Sequence, residues 1–251
     1  MSRKSRQKFD AACISDTGRV RRHNEDAGMA DVHRGVLIVS DGVGGHRGGA
    51  VAARLVVEVL PRLVESQLPK TIRVSGKLIR AALRDSLILL NRQAHEYGAA
   101  QPGLAGMGAT VVIALLRAGF AHIAQLGDSR AYLLRKGELT SLTDDHSIVG
   151  ILLRSGQITV DQAKTHPARG RITRFIGILD DVEPGLRSVR VRKGDRLLLC
   201  SDGLTSMVAD AEIIAILADK QTPQHAAAAL VDAANHAGGE DNVTVVIADV
   251  A

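Results

Sequence analysis

Acidic residues stand where apolar runs stop. Val36-Leu37-Ile38-Val39-Ser40 leads straight into Asp41-Gly42-Val43-Gly44-Gly45-His46, and Leu197-Leu198-Leu199-Cys200-Ser201 leads into Asp202-Gly203-Leu204. Ile123-Ala124-Gln125-Leu126 precedes Gly127-Asp128-Ser129-Arg130, and Gly238-Gly239-Glu240-Asp241-Asn242 precedes the apolar stretch 243–250. Any one Asp-Gly after a strand is ordinarily a turn. Several such places in one chain carry more, because strands ending at a common edge would deliver Asp41, Asp202 and Asp241 to one location. Carboxylates brought that close repel, and they need a cation to stay ionised together. No Cys or His set at metal spacing accompanies them, so oxygen ligation points to Mg²⁺ or Mn²⁺ rather than Zn²⁺. Gly42 leaves its carbonyl open to close approach by such an ion.

Upstream, Gly18-Arg19-Val20-Arg21-Arg22-His23-Asn24-Glu25-Asp26 supplies arginines, the preferred fork for a phosphate. Its acidic pair could reach a second cation through water. The same stretch also reads as a charged loop with local ion pairs.

Such residues need a frame. Strand-like runs bounded by turn residues fall at 9–14, 35–40, 107–116, 120–126 and 131–135, with further strands at 186–191, 195–201 and 243–250. Helical periodicity is clearest at 49–63 and at 76–97, where Leu78, Ile79, Ala82, Leu83, Leu87, Leu90 and Ala94 recur at three- and four-residue steps. Two later helices are predicted at 211–218, capped by Asp210, and at 223–236, with Thr222 as cap and Pro223 at the first helical position. Helices in two groups with hairpin-linked strands between them favour an α+β layered domain over an alternating parallel sheet. Residues 147–181 fit neither pattern and read as a surface excursion.

Composition bounds the rest. Hydrophobic residues make up 45% and charged residues 24%, a globular balance, and no apolar run approaches the length of a membrane span. The basic N-terminus, Met1–Lys8, has no apolar segment behind it, which argues against a secretory leader. It reads as a disordered tail ahead of one domain over 9–251. Much of the net charge of +5 sits in that tail, and without stacking aromatics it does not indicate nucleic acid. Cys13 and Cys200 lie in apolar runs and read as buried thiols in a reducing cytoplasm.

Taken in order, the motifs resemble the PPM family, the type 2C metal-dependent protein phosphatases, in its compact bacterial form. The matching set is Asp16-Thr17-Gly18…Arg21-x-x-Asn24-Glu25-Asp26, then Asp41-Gly42-x-Gly44-Gly45-His46, Gly127-Asp128-Ser129-Arg130-Ala131-Tyr132 and Asp145-His146-Ser147. It continues through Gly156-x-Ile158-Thr159, His166-Pro167, Gly194-Asp195, Ser201-Asp202-Gly203-Leu204 and Asp241-Asn242-x-Thr244. The resemblance spans residues 9–251 and implies an αββα sandwich, two antiparallel sheets between helix pairs, with a binuclear Mn²⁺ or Mg²⁺ centre at one end. It implies Asp41 as the carboxylate bridging both metals, with Asp202 and Asp241 on the first. The Gly42 carbonyl, and Glu25 through water, fall to the second. Asp128 with Asp202 matches a third, weaker site, and Arg21 matches the arginine that grips substrate phosphate.

The implied activity is hydrolysis of phosphoserine and phosphothreonine in proteins, kinases and their substrates included, by a monomer in the cytoplasm. The water bridging two cations is acidified towards neutrality and attacks phosphorus in line. The alternative is a phosphoprotein-binding module of the same fold that has lost turnover. Val43 stands where eukaryotic members carry a histidine, so protonation of the leaving group is unassigned, with His46 and water as candidates. Ala109 replaces the usual Thr or Ser. Residues 147–181 match the family's flap beside the active site, and Arg154, Lys164, Arg169, Arg171 and Arg174 within it could steer phosphorylated segments.

Overall fold

Alternation along the strands explains the layering. In the strand Val36–Val43 (β3), Leu37 and Val39 point into one buried cluster, whereas Val36 and Ile38 point into another. Both faces of the strand are thus covered, which is why it reads as an unbroken apolar run. The computed structural model describes residues 9–43, 47–69, 74–179, 181–219 and 222–251, and among these three apolar clusters separate four layers.

The central cluster lies between two antiparallel sheets. One sheet has the order β1-β11-β10-β7-β8, formed by Phe9–Asp16 (β1), Val243–Val250 (β11), Arg196–Cys200 (β10), Arg130–Arg135 (β7) and Glu138–Ser141 (β8). The other has the order β2-β3-β5-β6-β9, formed by Asp26–Asp31 (β2), β3, Val111–Arg117 (β5), Phe120–Leu126 (β6) and Gly185–Arg190 (β9). The two-residue strand Gly108–Ala109 (β4) pairs with the end of β3. Val112, Ala114 and Ile123 from the second sheet meet Leu133, Leu197, Leu199 and Val246 from the first.

Outside the second sheet pack the helices Arg47–Gln67 (α1) and Gly76–Ala100 (α2), burying Val56, Leu60, Leu83, Leu87 and Leu90. Outside the first pack Asp202–Thr205 (α5), Asp210–Ala218 (α6) and Pro223–His236 (α7), through Leu204, Ile213 and Leu230. Each fully buried Leu or Ile side chain contributes about 1.5–3 kcal/mol, so these clusters dominate cohesion. The resulting αββα sandwich is the α+β architecture expected. Ser75 caps α2 by accepting from the Leu78 amide at 3.3 Å, and Thr222 caps α7 in the same way from His225.

The structure departs from the sequence pattern at several places. Leu78 is 50% exposed although Ile79 beside it is buried, because at 100° per residue it falls off the face formed by Ile79, Leu83, Leu87 and Leu90. Asp210 is the first residue of α6 and Ala209 occupies the cap. Residues 107–116 are two strands, not one: β3 pairs with β5 as far as Val39 and with β4 from Gly42. Strand β2, sequence Asp-Ala-Gly-Met-Ala-Asp, carries no apolar alternation and forms because β3 offers it an edge. Cys200 is buried, but Cys13 is only partly so. The excursion 147–181 contains the short helices Ile148–Arg154 (α3) and Val160–Lys164 (α4), and Thr159 closes a capping box on α4.

Candidate metal centre

Strand direction gathers the acidic residues. β3, β6 and β10 run towards one end of the sandwich and β11 starts there, so Asp41, Asp128, Asp202 and Asp241 all emerge at that end. Two bonds to Thr110 hold the Asp41 backbone: its amide donates to Thr110 Oγ1 at 3.0 Å, and its carbonyl accepts from the Thr110 amide at 2.8 Å. Thr110 Oγ1 and Ser129 Oγ lie 2.7 Å apart, which ties the Asp41 turn to the loop carrying Asp128.

Asp26 stands directly opposite Asp41 in the β2–β3 register. Its Oδ2 accepts from Ser201 Oγ at 2.7 Å, a bond that crosses from one sheet to the other. Like charges placed opposite each other disfavour a strand pair, so this position argues for a role at the site. In the sequence Asp26 is half of an acidic pair of which the family resemblance points to Glu25. The signal that marks Asp26 is register, and register appears only once β2 is known to be a strand.

Burial and mutual repulsion push these carboxyls towards proton uptake. Burial raises Asp26 from 3.8 to about 7, with repulsion from Asp202 and Asp241 adding to it and hydrogen bonds from Ser201 and Thr244 opposing it. Asp128 rises to about 7, mainly by burial and then through Asp202 and Asp145. Asp41 is driven well above the carboxylate range by burial and then by Asp26, Asp202, Asp128 and Asp241. Asp202 is raised by burial and by Asp241, partly offset by a hydrogen bond with Asp41 and by the charges of Arg169 and Arg130.

The remaining residues form the rim. Asn242 staples the segment 17–25: its Oδ1 accepts from the Glu25 amide at 2.8 Å, and its Nδ2 donates to the carbonyls of Thr17 and His23. That staple and the Gly239 carbonyl, which accepts from the Arg19 amide at 2.7 Å, set Arg21 beside Asp241. Arg21 Nη2 donates to Asp241 Oδ2 at 2.7 Å, and its charge also acts on Asp41 and Glu25. Glu25 lies against the first turn of α1, where a Cβ on Gly49 would collide with Glu25 Oε2. Gly42 is needed for packing: a side chain there would strike the Gly49 backbone and the Glu25 carbonyl. His46 lies outside the described residues.

The donor set fits a hard divalent cation. Asp26 Oδ1 and Asp128 Oδ1 are buried with no hydrogen-bond partner, an unusual cost for carboxyl oxygens. All the candidate donors are oxygens, the preference of Mg²⁺ and Mn²⁺. Among the described residues no three such side chains already converge on a single point. Asp241 in particular has one carboxyl oxygen engaged by Arg21.

The comparisons with known proteins agree with this arrangement. A family model described as protein phosphatase 2C matches residues 18–235. The serine/threonine phosphatase stp of Listeria monocytogenes is 38% identical over 238 residues, covering 94% of this chain and 93% of its own length. The structure of the S. agalactiae serine/threonine phosphatase superposes with a TM-score of 0.87 at 34% identity, covering 97% of this chain and 100% of that one. The catalytic domain of the serine/threonine protein phosphatase PstP, solved in complex with two manganese ions, superposes with a TM-score of 0.80 at 37% identity, covering 96% and 98%. With the family model covering most of the sequence and relatives aligned along nearly their whole length, this chain belongs to the protein phosphatase 2C family.

Proposed function

We propose that this chain is a metal-dependent protein serine/threonine phosphatase that removes phosphate from phosphoserine and phosphothreonine. The observation that carries the reading is the set of half-buried, mutually repelling carboxyls, two with unpartnered buried oxygens, gathered beside an exposed arginine. The name of the Listeria relative and the manganese-bound PstP domain support the same assignment. The catalytic domain is read as 9–251, with 147–181 as a flap beside the site.

Asp41, Asp202 and Asp241 would hold one cation, and Asp41, the Gly42 carbonyl and, through water, Glu25 a second. Asp128 with Asp202 would hold a third. Bound there, Mn²⁺ or Mg²⁺ makes water a nucleophile near neutral pH and spreads the charge of the phosphoryl group. The protein's own contribution is placement. Thr110 and Ser129 fix the Asp41 and Asp128 turns against each other. Ser201 holds one oxygen of Asp26 and leaves the other able to accept a hydrogen bond from water at the site. Arg21, half exposed at the rim, can leave Asp241 for a substrate phosphate. His46 remains the side-chain candidate for protonating the leaving group.

Phosphorylated proteins, serine/threonine kinases and their targets among them, are the proposed substrates, met by a monomer in the cytoplasm. Among the described residues no helix is long and apolar enough to cross a membrane. Arg169 is the flap cation whose charge acts on Asp202. By contrast Arg154 donates to the Asp145 carbonyl, Lys164 pairs with Asp161 and Arg174 donates to the Glu183 carbonyl. Because its charge reaches Asp202, Arg169 is the flap residue we assign first to the phosphorylated segment, ahead of Arg171.

The test is hydrolysis of p-nitrophenyl phosphate and a phosphothreonine peptide with Mn²⁺, Mg²⁺ or EDTA, beside Asp41→Ala and Asp202→Ala. Turnover that needs metal and vanishes in both variants is expected. A wild-type protein inert on both substrates with saturating Mn²⁺ would favour the binding module instead.

A further inference from the structure

The flap is stitched to the core at its two roots. At the first, the His146 amide donates to the Gly127 carbonyl at 2.9 Å. At the second, the Thr173 amide donates to the His146 carbonyl at 2.8 Å, and Ile176 exchanges backbone bonds with Ala109. Backbone bonds of this kind fix where the roots lie but not how α3 and α4 are carried above them.

One side-chain assembly bears on that. Arg130, two residues beyond Asp128, forks Asp145 with Nε to Oδ1 at 2.8 Å and Nη2 to Oδ2 at 2.7 Å, and its Nη1 reaches the Tyr132 hydroxyl at 3.2 Å. A bidentate fork fixes angle as well as distance. The Asp145 carbonyl in turn accepts from Arg154 Nη1, at the last residue of α3, at 2.9 Å. The first turn of α3 also rests on the same residue: a Cβ on Gly150 would lie 2.5 Å from the Asp145 carbonyl oxygen and 3.0 Å from its Cβ. Asp145 is therefore gripped by β7 on one side and by both ends of α3 on the other. The helix cannot shift without moving Asp145, and Asp145 cannot move without opening the fork beside the Asp128 loop.

We propose that Arg130 and Asp145 are positioning residues that set where the flap lies beside the metal end, and so the affinity for protein substrates rather than the chemistry. This rests on the phosphatase reading above. Asp145→Asn removes one charge of the fork and keeps the side chain's shape. Gly150→Ala disturbs the seat of α3 from the flap side without changing any charge. Amide hydrogen exchange on metal-free protein is measured over 148–164, with β5 and β11 as internal controls. KM and kcat are then measured for a phosphothreonine peptide and for p-nitrophenyl phosphate.

Both variants should exchange on the order of fivefold faster in the flap and no faster in the strands, the factor that loss of about 1 kcal/mol gives. Peptide KM should rise by a similar factor, with kcat for p-nitrophenyl phosphate within about twofold of wild type. Unchanged flap exchange, or an equal fall in kcat on both substrates, overturns the proposal. The exchange arm needs no turnover, so an inactive wild type would sink the phosphatase reading and leave the positioning claim to be judged by exchange alone.

Discussion

Replacing Asp26 by Asn tests whether the clustered carboxyls are held against their own charge. The Asp26 carboxyl rises from 3.8 to about 7 on folding. A carboxyl raised in this way binds its proton more readily in the native chain than in the unfolded one. Its contribution is therefore fully present below about pH 4 and is lost as pH climbs through about 7. Between pH 5 and pH 8 one such group withdraws roughly 2–3 kcal/mol, equivalent to about 5–10 °C in Tm for a chain of this size. Asn is neutral throughout and keeps an oxygen for Ser201 Oγ, which donates to Asp26 at 2.7 Å. Subtracting the variant from the wild type cancels most other titrating groups. The neighbouring carboxyls titrate with Asp26, so the measured transition belongs to the cluster. The assay is urea unfolding followed by circular dichroism in EDTA at pH 5, 6.5 and 8. Relative to wild type, the variant should gain about 2–3 kcal/mol from pH 5 to pH 8. A difference flat to within about 0.5 kcal/mol over that range, well below the value from linkage, would refute the argument.

Protons and cations should compete for the same oxygens, so saturating Mn²⁺ should raise Tm more at pH 8 than at pH 5; an equal rise at both, read by scanning calorimetry, would count against a carboxylate site. Arg21→Ala should raise KM for a phosphothreonine peptide about 10- to 100-fold, the worth of a charge-assisted phosphate contact, with Mn²⁺ affinity by calorimetry little changed. Arg169→Ala should raise peptide KM about three- to tenfold and spare p-nitrophenyl phosphate, so a matched loss on both would remove it from peptide recognition. Gly42→Ala should destabilise the fold by about 1–3 kcal/mol in urea, because the added methyl meets the Gly49 backbone and the Glu25 carbonyl.

What the sequence determined was the supply of parts. Apolar runs ending in Asp41, Asp128 and Asp202, with Asp241 just ahead of the last strand, were legible because strands buried on both faces are unbroken hydrophobic stretches, and their ends are abrupt. The long helices were legible for the same reason, from the periodicity that buries Leu83, Leu87 and Leu90. The tertiary structure decided what depends on neighbours distant in sequence. Strand β2 has no pattern of its own and exists because β3 pairs with it, and that pairing sets Asp26 opposite Asp41. The Asn242 staple reaches back more than two hundred residues to 17–25, and the Arg21 ion pair with Asp241 follows from it. Ser201 reaching Asp26 joins two different sheets. Local sequence carries hydrophobicity and turn preference, both properties of a few consecutive residues. The electrostatics of the site depend on distances between charges that only the packing of the two sheets brings together.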